Sequence, residues 1–169
     1  MGFGSPRLRV VLATALWVAA CGLWGGEFQG RVTRVLHGDT IKVQKPSGRI
    51  VRVVLAGVDC PGRGQPYRDE ARKFTQRLVE GKTVTVRVEG YNRYGHLEAV
   101  VVLPDRRILN RELVKAGLAW AVPGYDRDPS LAGLERRARR FRKGLWRDDD
   151  PIPPWTFHRR RSWRDHGGR

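Results

Sequence analysis

Two aspartates in the N-terminal half stand in contexts typical of a divalent-cation site. Asp39 follows a glycine in HGDTIKV, residues 37–43, and Asp59 stands just before a proline in VRVVLAGVDCPGRGQPY, residues 51–67. Carboxylate oxygens are ligands that hard divalent cations prefer. The pair predicts weak binding of such a cation, and the alternative is that both aspartates only form turns.

A proton acceptor and fixed phosphate-binding cations are harder to find beside these aspartates. Gly62, soon after Asp59, has no side chain that takes a proton. Arg52 either contacts phosphate or is a solvated strand arginine. His96 binds phosphate when protonated, acts as a base when neutral, or is simply solvated. The pattern therefore indicates a cation site more clearly than a catalytic one.

The charge of the chain indicates a polyanionic partner. Its 169 residues, enough for one domain, include 33 Lys and Arg against 17 Asp and Glu, a net charge of +16. Such a surface attracts nucleic acid, anionic lipid or cell-wall polymers. Abundant arginine favours phosphate, because a guanidinium makes bidentate bonds to phosphate oxygens. Single-stranded DNA or RNA is the expected partner, and a monomer is the expected state.

The first 21 residues predict export and are set apart from the fold. Arg7 and Arg9 precede the apolar run 10–20, which is shorter than the roughly 20 residues of a membrane span. The following Cys21 resembles the lipidated cysteine of bacterial lipoproteins. An ordinary signal peptide and an uncleaved anchor are the alternatives. The protein is expected to be secreted or held in the bacterial envelope. In the second case its N-terminus would anchor it to the membrane.

Periodicity predicts an α+β, mainly β, domain. Alternating residues indicate five strands, in RVTRVLHGDTIKVQ (two), RIVRVVLAGV, KTVTVRVEG and LEAVVVLP. Helical spacing indicates three helices, in YRDEARKFTQRLVEG, RILNRELVKAGLAW and PSLAGLERRARRFRKGLW, with Ser130 as N-cap of the third. Five strands of this length avoid exposed sheet edges by closing into a barrel. A five-stranded OB-fold barrel with three helices is therefore expected.

Six segments together resemble the staphylococcal nuclease (thermonuclease) family, in the family's order. They are VLHGDTIKV, LAGVDCPGRGQPY, EARKFTQRLVEGKTV, NRYGHLEAVVV, ILNRELVKAGLAW and GLWRDDDPIPPW. The resemblance covers residues 28–155 and implies an OB-fold domain that binds Ca²⁺ and hydrolyses phosphodiester bonds of DNA and RNA. Residues 156–169 lie beyond it and are expected to form a basic, flexible tail.

The resemblance assigns metal ligands but departs at the catalytic positions. It implies that Asp39, Asp59 and the backbone carbonyl of Cys60 hold the ion. The family's two phosphate-binding arginines and its glutamate base fall on three other residues, which are Val54, His96 and Gly62. A general base is worth roughly 10² to 10⁴ in rate, and a charged donor roughly 10² to 10³. These departures imply activity reduced to about a thousandth or less.

The residues that contact nucleic acid in this family are better preserved. Arg93 and Tyr94 match a basic–tyrosine pair that meets the nucleotide, and Tyr125 matches a tyrosine that stacks near the base. Aromatic packing at the barrel rim is the alternative for each tyrosine. The sequence thus favours a nucleic-acid-binding protein with eroded or lost cleavage. An active Ca²⁺-dependent endonuclease, with Arg52 as substitute for a lost arginine, and an envelope module that binds anionic polymers remain open.

Overall fold

The computed structural model describes residues 26–157 and 159, and it contains a closed five-stranded barrel. The barrel strands are β1 (Glu27–His37), β2 (Thr40–Gln44), β3 (Ile50–Leu55), β5 (Thr83–Tyr91) and β6 (Leu97–Val102). Two shorter strands, β4 (Val58–Asp59) and β7 (Trp120–Ala121), pair with each other beside it. The five barrel strands were predicted, and the two-residue strands were not, because two residues carry no readable alternation.

The barrel closes in the order β1, β2, β3, β6, β5, with β5 pairing back to β1. All barrel pairs are antiparallel except β3 with β6, which run parallel. A parallel pair needs a crossover connection, and the helix α1 (Arg68–Val79) together with β5 supplies it. The predicted OB-type barrel is confirmed.

Alternate residues of each strand point into the barrel and fill it. Val32, Ile41, Val53, Val86 and Val101 are fully buried there. Their strand neighbours point outward, because successive side chains of a strand face opposite sides of the sheet. The outward residues of β2, β3 and β6 therefore form a continuous surface that is available for a ligand.

The three predicted helices are confirmed, with corrected ends. Besides α1, they are α2 (Leu109–Lys115) and α3 (Ser130–Arg140), and a 3-10 turn follows at Gly144–Arg147. Ser130 is not the N-cap of α3 but its first residue. Asp128 has the capping role, because its carboxylate accepts hydrogen bonds from the Ser130 N–H at 3.2 Å and from its hydroxyl at 2.6 Å.

A second apolar cluster holds the C-terminal segment on the barrel. Trp120 and Trp146 meet edge to face with ring centroids 5.7 Å apart, and Trp155 packs against them. These tryptophans pack the C-terminal segment against the rest of the domain. The export segment 1–21 and nearly all of the predicted tail lie outside the described residues. No helix in the described part of the chain is both long and apolar enough to cross a membrane.

Gly38, at the turn between β1 and β2, lies against the base of the metal-ligand loop. A Cβ atom at this position would lie 2.7 Å from Cys60 Sγ and 2.8 Å from Ala71 Cβ. The Gly38 carbonyl also accepts a hydrogen bond from the Thr75 hydroxyl of α1 at 2.6 Å. The absence of a side chain at Gly38 therefore lets β2, α1 and the loop after β4 meet.

We expect Gly38→Ala to lower the free energy of unfolding by about 1 to 3 kcal/mol, the usual cost of inserting an extra methyl group into a packed core. Urea denaturation measures this change. Gly90→Ala is the matched control, because a Cβ atom at Gly90 meets nothing within 4 Å. Equal effects of the two substitutions would contradict this account of the packing.

Candidate functional site

The structure brings the two predicted metal-ligand aspartates together at one end of the barrel. Asp39 Oδ2 accepts a hydrogen bond from the backbone N–H of Cys60 at 2.8 Å, and Asp39 Oδ1 accepts one from the Thr40 hydroxyl at 2.8 Å. The Asp39 carbonyl is bonded to the N–H of Leu55, also at 2.8 Å. Asp59, the residue before Cys60, is thereby held beside the Asp39 carboxylate.

Asp59 is a carboxylate in an unfavourable electrostatic position. Burial, and secondly the negative charge of Asp39, raise the pKa of Asp59 to about 7. Among the residues that the structure describes, none donates a hydrogen bond to the Asp59 side chain, and none forms a salt bridge with it. Two close carboxylates without a cationic partner leave negative charge that a bound cation would neutralise.

The donor set fits Ca²⁺ in charge and in chemistry. The candidate ligands are all oxygen atoms: those of Asp39, Asp59 and the Cys60 carbonyl. Within residues 26–157 there is no cluster of three or more His, Cys, Asp or Glu side chains that would hold a metal. With two carboxylates as side-chain ligands, water would have to complete the coordination, and the affinity is expected to be low.

Cys60 contributes to the site through its backbone and not through its sulfur. The thiol is free and fully enclosed. Burial, followed by the charges of Asp39 and Asp59, raises the pKa of Cys60 well above its usual range. Since the thiolate is the form that ligates metals and attacks electrophiles, the sulfur is inert in the folded protein.

The loop that carries Gly62 is anchored to the C-terminal segment. Gln65 is buried, its Oε1 accepts a hydrogen bond from the Gly62 N–H at 2.9 Å, and its Nε2 donates to the Ile152 carbonyl at 2.7 Å. Gly62 is not among the residues with positive φ. Its φ angle is therefore one that residues with side chains also adopt, and the backbone conformation by itself does not require glycine at this position.

The outward residues next to the aspartates form a row without positive charge. Thr40 pairs with Val54, and Val54 pairs with Glu98 on the neighbouring parallel strand. Val54 and Glu98 are both half-buried. At the position where the family resemblance expects an arginine, a phosphate would meet an apolar side chain flanked by a carboxylate.

A second row, further from the aspartates, is basic. Arg34 pairs with Lys42, and Lys42 pairs with Arg52. Arg52 Nη1 lies 3.4 Å from His96 Nε2. Three of these residues lie side by side on β1, β2 and β3, and His96 lies beside them just before β6. We call Arg34, Lys42, Arg52 and His96 the basic row. Arg52 is two residues from Val54, so the row is displaced from the first by about 7 Å along the strands.

His96 is an acceptor in this arrangement. A guanidinium has donors only, so in the contact with Arg52 the Nε2 atom of His96 can only be the acceptor. Asn92 fixes the turn before it, because Asn92 Oδ1 accepts from the N–H groups of Tyr94 and His96, each at 3.0 Å. Arg52 thus lies next to the hairpin that carries the predicted nucleotide contacts, and it contacts the imidazole that stands where the family pattern has an arginine.

The predicted contacts Arg93 and Tyr94 lie together at the tip of the β5–β6 hairpin. The Arg93 guanidinium lies 4.8 Å from the Tyr94 ring centroid. The Tyr94 side chain is 67% exposed, and its ring lies 6.3 Å from that of His96. An exposed ring with a cation on one face leaves the other face available for a base.

Tyr125 is a packing residue more than a free platform. Its ring covers Gly57, where a Cβ atom would collide with the ring. Its hydroxyl donates to Glu89 Oε1 at 2.8 Å, and burial together with this bond raises the pKa of Tyr125. The Glu89 side chain is only 5% exposed and also faces Arg127. Base stacking at Tyr125 stays a prediction.

Three residues of this surface were not found from the sequence: Arg34, Lys42 and Glu98. Each lies on a strand that was predicted. What assigns them to the site is the register between strands, which no local pattern of residues encodes. The outward alternation in β2 and β6 was the available signal, and it showed only that these side chains face away from the core.

Comparison with known proteins agrees with this geometry. The sequence profile described as "Staphylococcal nuclease homologue" matches residues 52–148. The chain belongs to this family. It is 40% identical to an "Uncharacterized endonuclease" of Escherichia coli O157:H7, over 91% of this chain and 97% of the relative. It is 33% identical to a "Micrococcal nuclease" of Shigella flexneri, over 90% of this chain and 92% of the relative.

Membership of the staphylococcal nuclease family confirms the resemblance and the fold expected from it. The family match spans β3 to the segment after the 3-10 turn, so it includes Asp59, Gly62 and the β5–β6 hairpin. Another relative, "Protein ParB" of Escherichia coli, is 34% identical over 95% of this chain and 96% of its own length. The roles of individual site residues stay predictions.

We expect millimolar Ca²⁺ at pH 8 to raise the melting temperature of the wild-type protein and to leave Asp59→Asn nearly unchanged. Without Ca²⁺ the variant should be the more stable protein, by on the order of 1 kcal/mol, because it buries no charge and lacks the repulsion from Asp39, and the partial exposure of the site limits the gain. This advantage should shrink as pH falls from about 7 toward 4, since folded wild type takes up a proton there before the unfolded chain does.

Differential scanning calorimetry across this pH range, with Ca²⁺ and with chelator, measures both effects. Asp126→Asn is the control, because Asp126 is an exposed acid away from the pair. A response of Asp59→Asn to Ca²⁺ as large as that of wild type would remove Asp59 from the ligand set.

Proposed function

We propose that this chain is a nucleic-acid-binding member of the staphylococcal nuclease family in which phosphodiester cleavage is strongly reduced. The observation that carries the proposal is the separation of the two rows on the barrel surface. The aspartate pair adjoins Thr40, Val54 and Glu98, whereas the cations of the basic row begin one step further along the strands. A phosphate at the aspartates lacks a fixed arginine, and a phosphate on the basic row lies away from the aspartates.

The aspartate pair is the part of the site that favours catalysis. When bound, Ca²⁺ supplies positive charge that polarises a phosphate group. Asp39, Asp59 and the Cys60 carbonyl would hold the ion. The chain itself lacks a carboxylate at Gly62 to take a proton from water, and Val54 gives no charge to the developing transition state. Each of these contributions is worth roughly two orders of magnitude or more in other enzymes.

The binding part of the site is intact by comparison. Electrostatic attraction to phosphates supplies most of the sequence-independent affinity for a nucleic acid. The basic row provides neighbouring cationic side chains on one face, and the Arg93–Tyr94 pair adds an exposed aromatic ring at its edge. Stacking on exposed rings favours single strands, because their bases are accessible. Single-stranded DNA or RNA is therefore the proposed ligand.

A working nuclease is the second candidate, and Glu98 is the observation that favours it. Glu98 is the carboxylate nearest in register to Val54, one strand spacing of about 5 Å away. Such a group would serve as a base in place of the missing one if it reached the aspartate pair. Relatives whose names include endonuclease and nuclease support this candidate as well.

We expect the triple substitution Val54→Arg, Gly62→Glu and His96→Arg to raise Ca²⁺-dependent cleavage of denatured DNA by about a thousandfold or more over wild type. The substitutions restore a base and two phosphate-binding cations. Release of acid-soluble nucleotides, followed with and without chelator, measures the rate.

The same triple variant with Asp39→Ala is the control, and it should be inactive. The contrary result is rapid, chelator-sensitive cleavage by wild type that Asp39→Ala abolishes and Glu98→Gln slows. This result would overturn the proposal that cleavage is reduced and would establish the second candidate. Slow wild-type cleavage that Glu98→Gln leaves unchanged would support the proposal.

We expect Arg52→Ala to weaken binding to a single-stranded oligonucleotide and to reduce the slope of log affinity against log salt by about 0.7, the value for one lost phosphate contact. Tyr94→Ala should weaken binding by about 1 kcal/mol or more with an unchanged slope, because it removes stacking and not charge. Fluorescence anisotropy at several salt concentrations separates the two effects.

Arg77→Ala, on the exposed side of α1, is the control of equal charge change. If Arg77→Ala and Arg52→Ala changed the slope equally, affinity would come from net charge and not from the basic row. No binding by wild type at low salt would overturn the proposed function.

A further inference from the structure

The arginines of α3 and the following turn fall into two groups. Arg139 is paired with Glu135 and stacks over Trp146, and Arg142 is paired with Asp149 at 2.8 Å. Arg136, Arg137 and Arg140 make no ion pair with any described residue. The first group holds α3 on the domain. The second group carries positive charge that is not neutralised by any carboxylate of the described residues.

The uncommitted arginines surround an exposed aromatic ring. Phe141 is 58% exposed, and the guanidinium carbons of Arg137 and Arg140 lie 6.0 and 5.9 Å from its ring centroid. Together with Arg136, these residues line a surface groove of about 440 Å³. We call these four residues the α3 platform. An exposed aromatic ring flanked by unpaired guanidinium groups is the combination of side chains found in contacts with single-stranded nucleic acid.

The backbone keeps Phe141 in this position. The next residue, Arg142, follows the end of α3 and has a φ angle of 47°. Residues other than glycine adopt this left-handed conformation at a cost in free energy. Arg142 is held there because its Nη2 donates to the Arg147 carbonyl and to Asp149, each at 2.8 Å. The end of α3 is thus a built feature and not a frayed terminus.

A second groove adjoins the α3 platform and leads to the barrel. It has a volume of about 450 Å³ and shares Arg136 with the first groove. Its other lining residues run from Ala121 to Arg139 and include Tyr125, which lies on Gly57 in the turn between β3 and β4. Two acids also line it, Asp128 and Glu135, and each of them is paired with an arginine. A concave path between the barrel and α3 fits an extended chain and not the flat surface of a bilayer.

We infer that the α3 platform is a second contact for single-stranded nucleic acid, with Arg136, Arg137 and Arg140 on phosphates and Phe141 stacked on a base. The inference rests on the proposed binding at the barrel and lengthens it. The chemistry is that of other single-strand sites, in which cations follow the backbone and aromatic rings take the bases. A strand long enough to leave the barrel would continue through the shared groove.

Oligonucleotides of increasing length test this contact. Thymidine oligonucleotides from about 4 to about 30 nucleotides span the site sizes of single OB-folds and more. For the longest ones, we expect Phe141→Ala to weaken binding about fivefold or more, and Arg137→Ala/Arg140→Ala to reduce the salt slope by about 1.4, or 0.7 per contact. For the shortest ones, which occupy the barrel alone, both variants should bind like wild type.

Arg49→Ala/Arg77→Ala removes the same charge from the β2–β3 turn and α1 and is the control, expected to act equally at all lengths. Variants of the α3 platform that bind all lengths like wild type, or that lose the same factor at all lengths, overturn the inference. So does a result in which Phe141→Ala lowers binding to vesicles of anionic lipid and not to long oligonucleotides. Failure of wild type to bind any length overturns the proposed function itself.

Discussion

The repulsion between two carboxylates at one end of the barrel sets the conditions for the rest of the site. Asp39 lies in the turn between β1 and β2 and Asp59 lies in β4, and the hydrogen bond from the Cys60 N–H to Asp39 holds the two segments together. Gly38 packs closely on Cys60 and Ala71, which also holds this turn against the loop after β4. The fold therefore maintains a charge arrangement that is unfavourable by itself, which is a common property of functional sites.

The surface around this pair differs in its charges from what the family resemblance implies, while the backbone keeps the expected shape. An apolar residue and a half-buried glutamate lie nearest to the aspartates, and arginine and lysine side chains lie one step away. Because Val54, Gly62 and His96 occupy the three catalytic positions, the cations that attract a phosphate do not lie where a bound metal ion would polarise it. Binding and cleavage are different demands on one surface, and the proposed function is that this chain meets the first better than the second.

Much of the fold was accessible from sequence, because its signals are local. The alternation in β1, β5 and β6 and the helical spacing in α1 each depend on a few neighbouring residues. The cap of α3 was misassigned, since Asp128 and Ser130 are both good capping residues and only the backbone conformation decides between them. The basic row was accessible only in part, because Arg34, Lys42 and Arg52 become neighbours through strand register.

The sealed position of Cys60 has a consequence for the life of the protein. A folded copy cannot form a mixed disulfide through this residue, since the thiol is enclosed and its neighbours oppose ionisation. An unfolded copy exposes the same sulfur at its ordinary acidity. In an oxidising compartment, disulfide cross-links through Cys60 would therefore form only in chains that had not folded or had unfolded. The Cys60 thiol of native chains would not react.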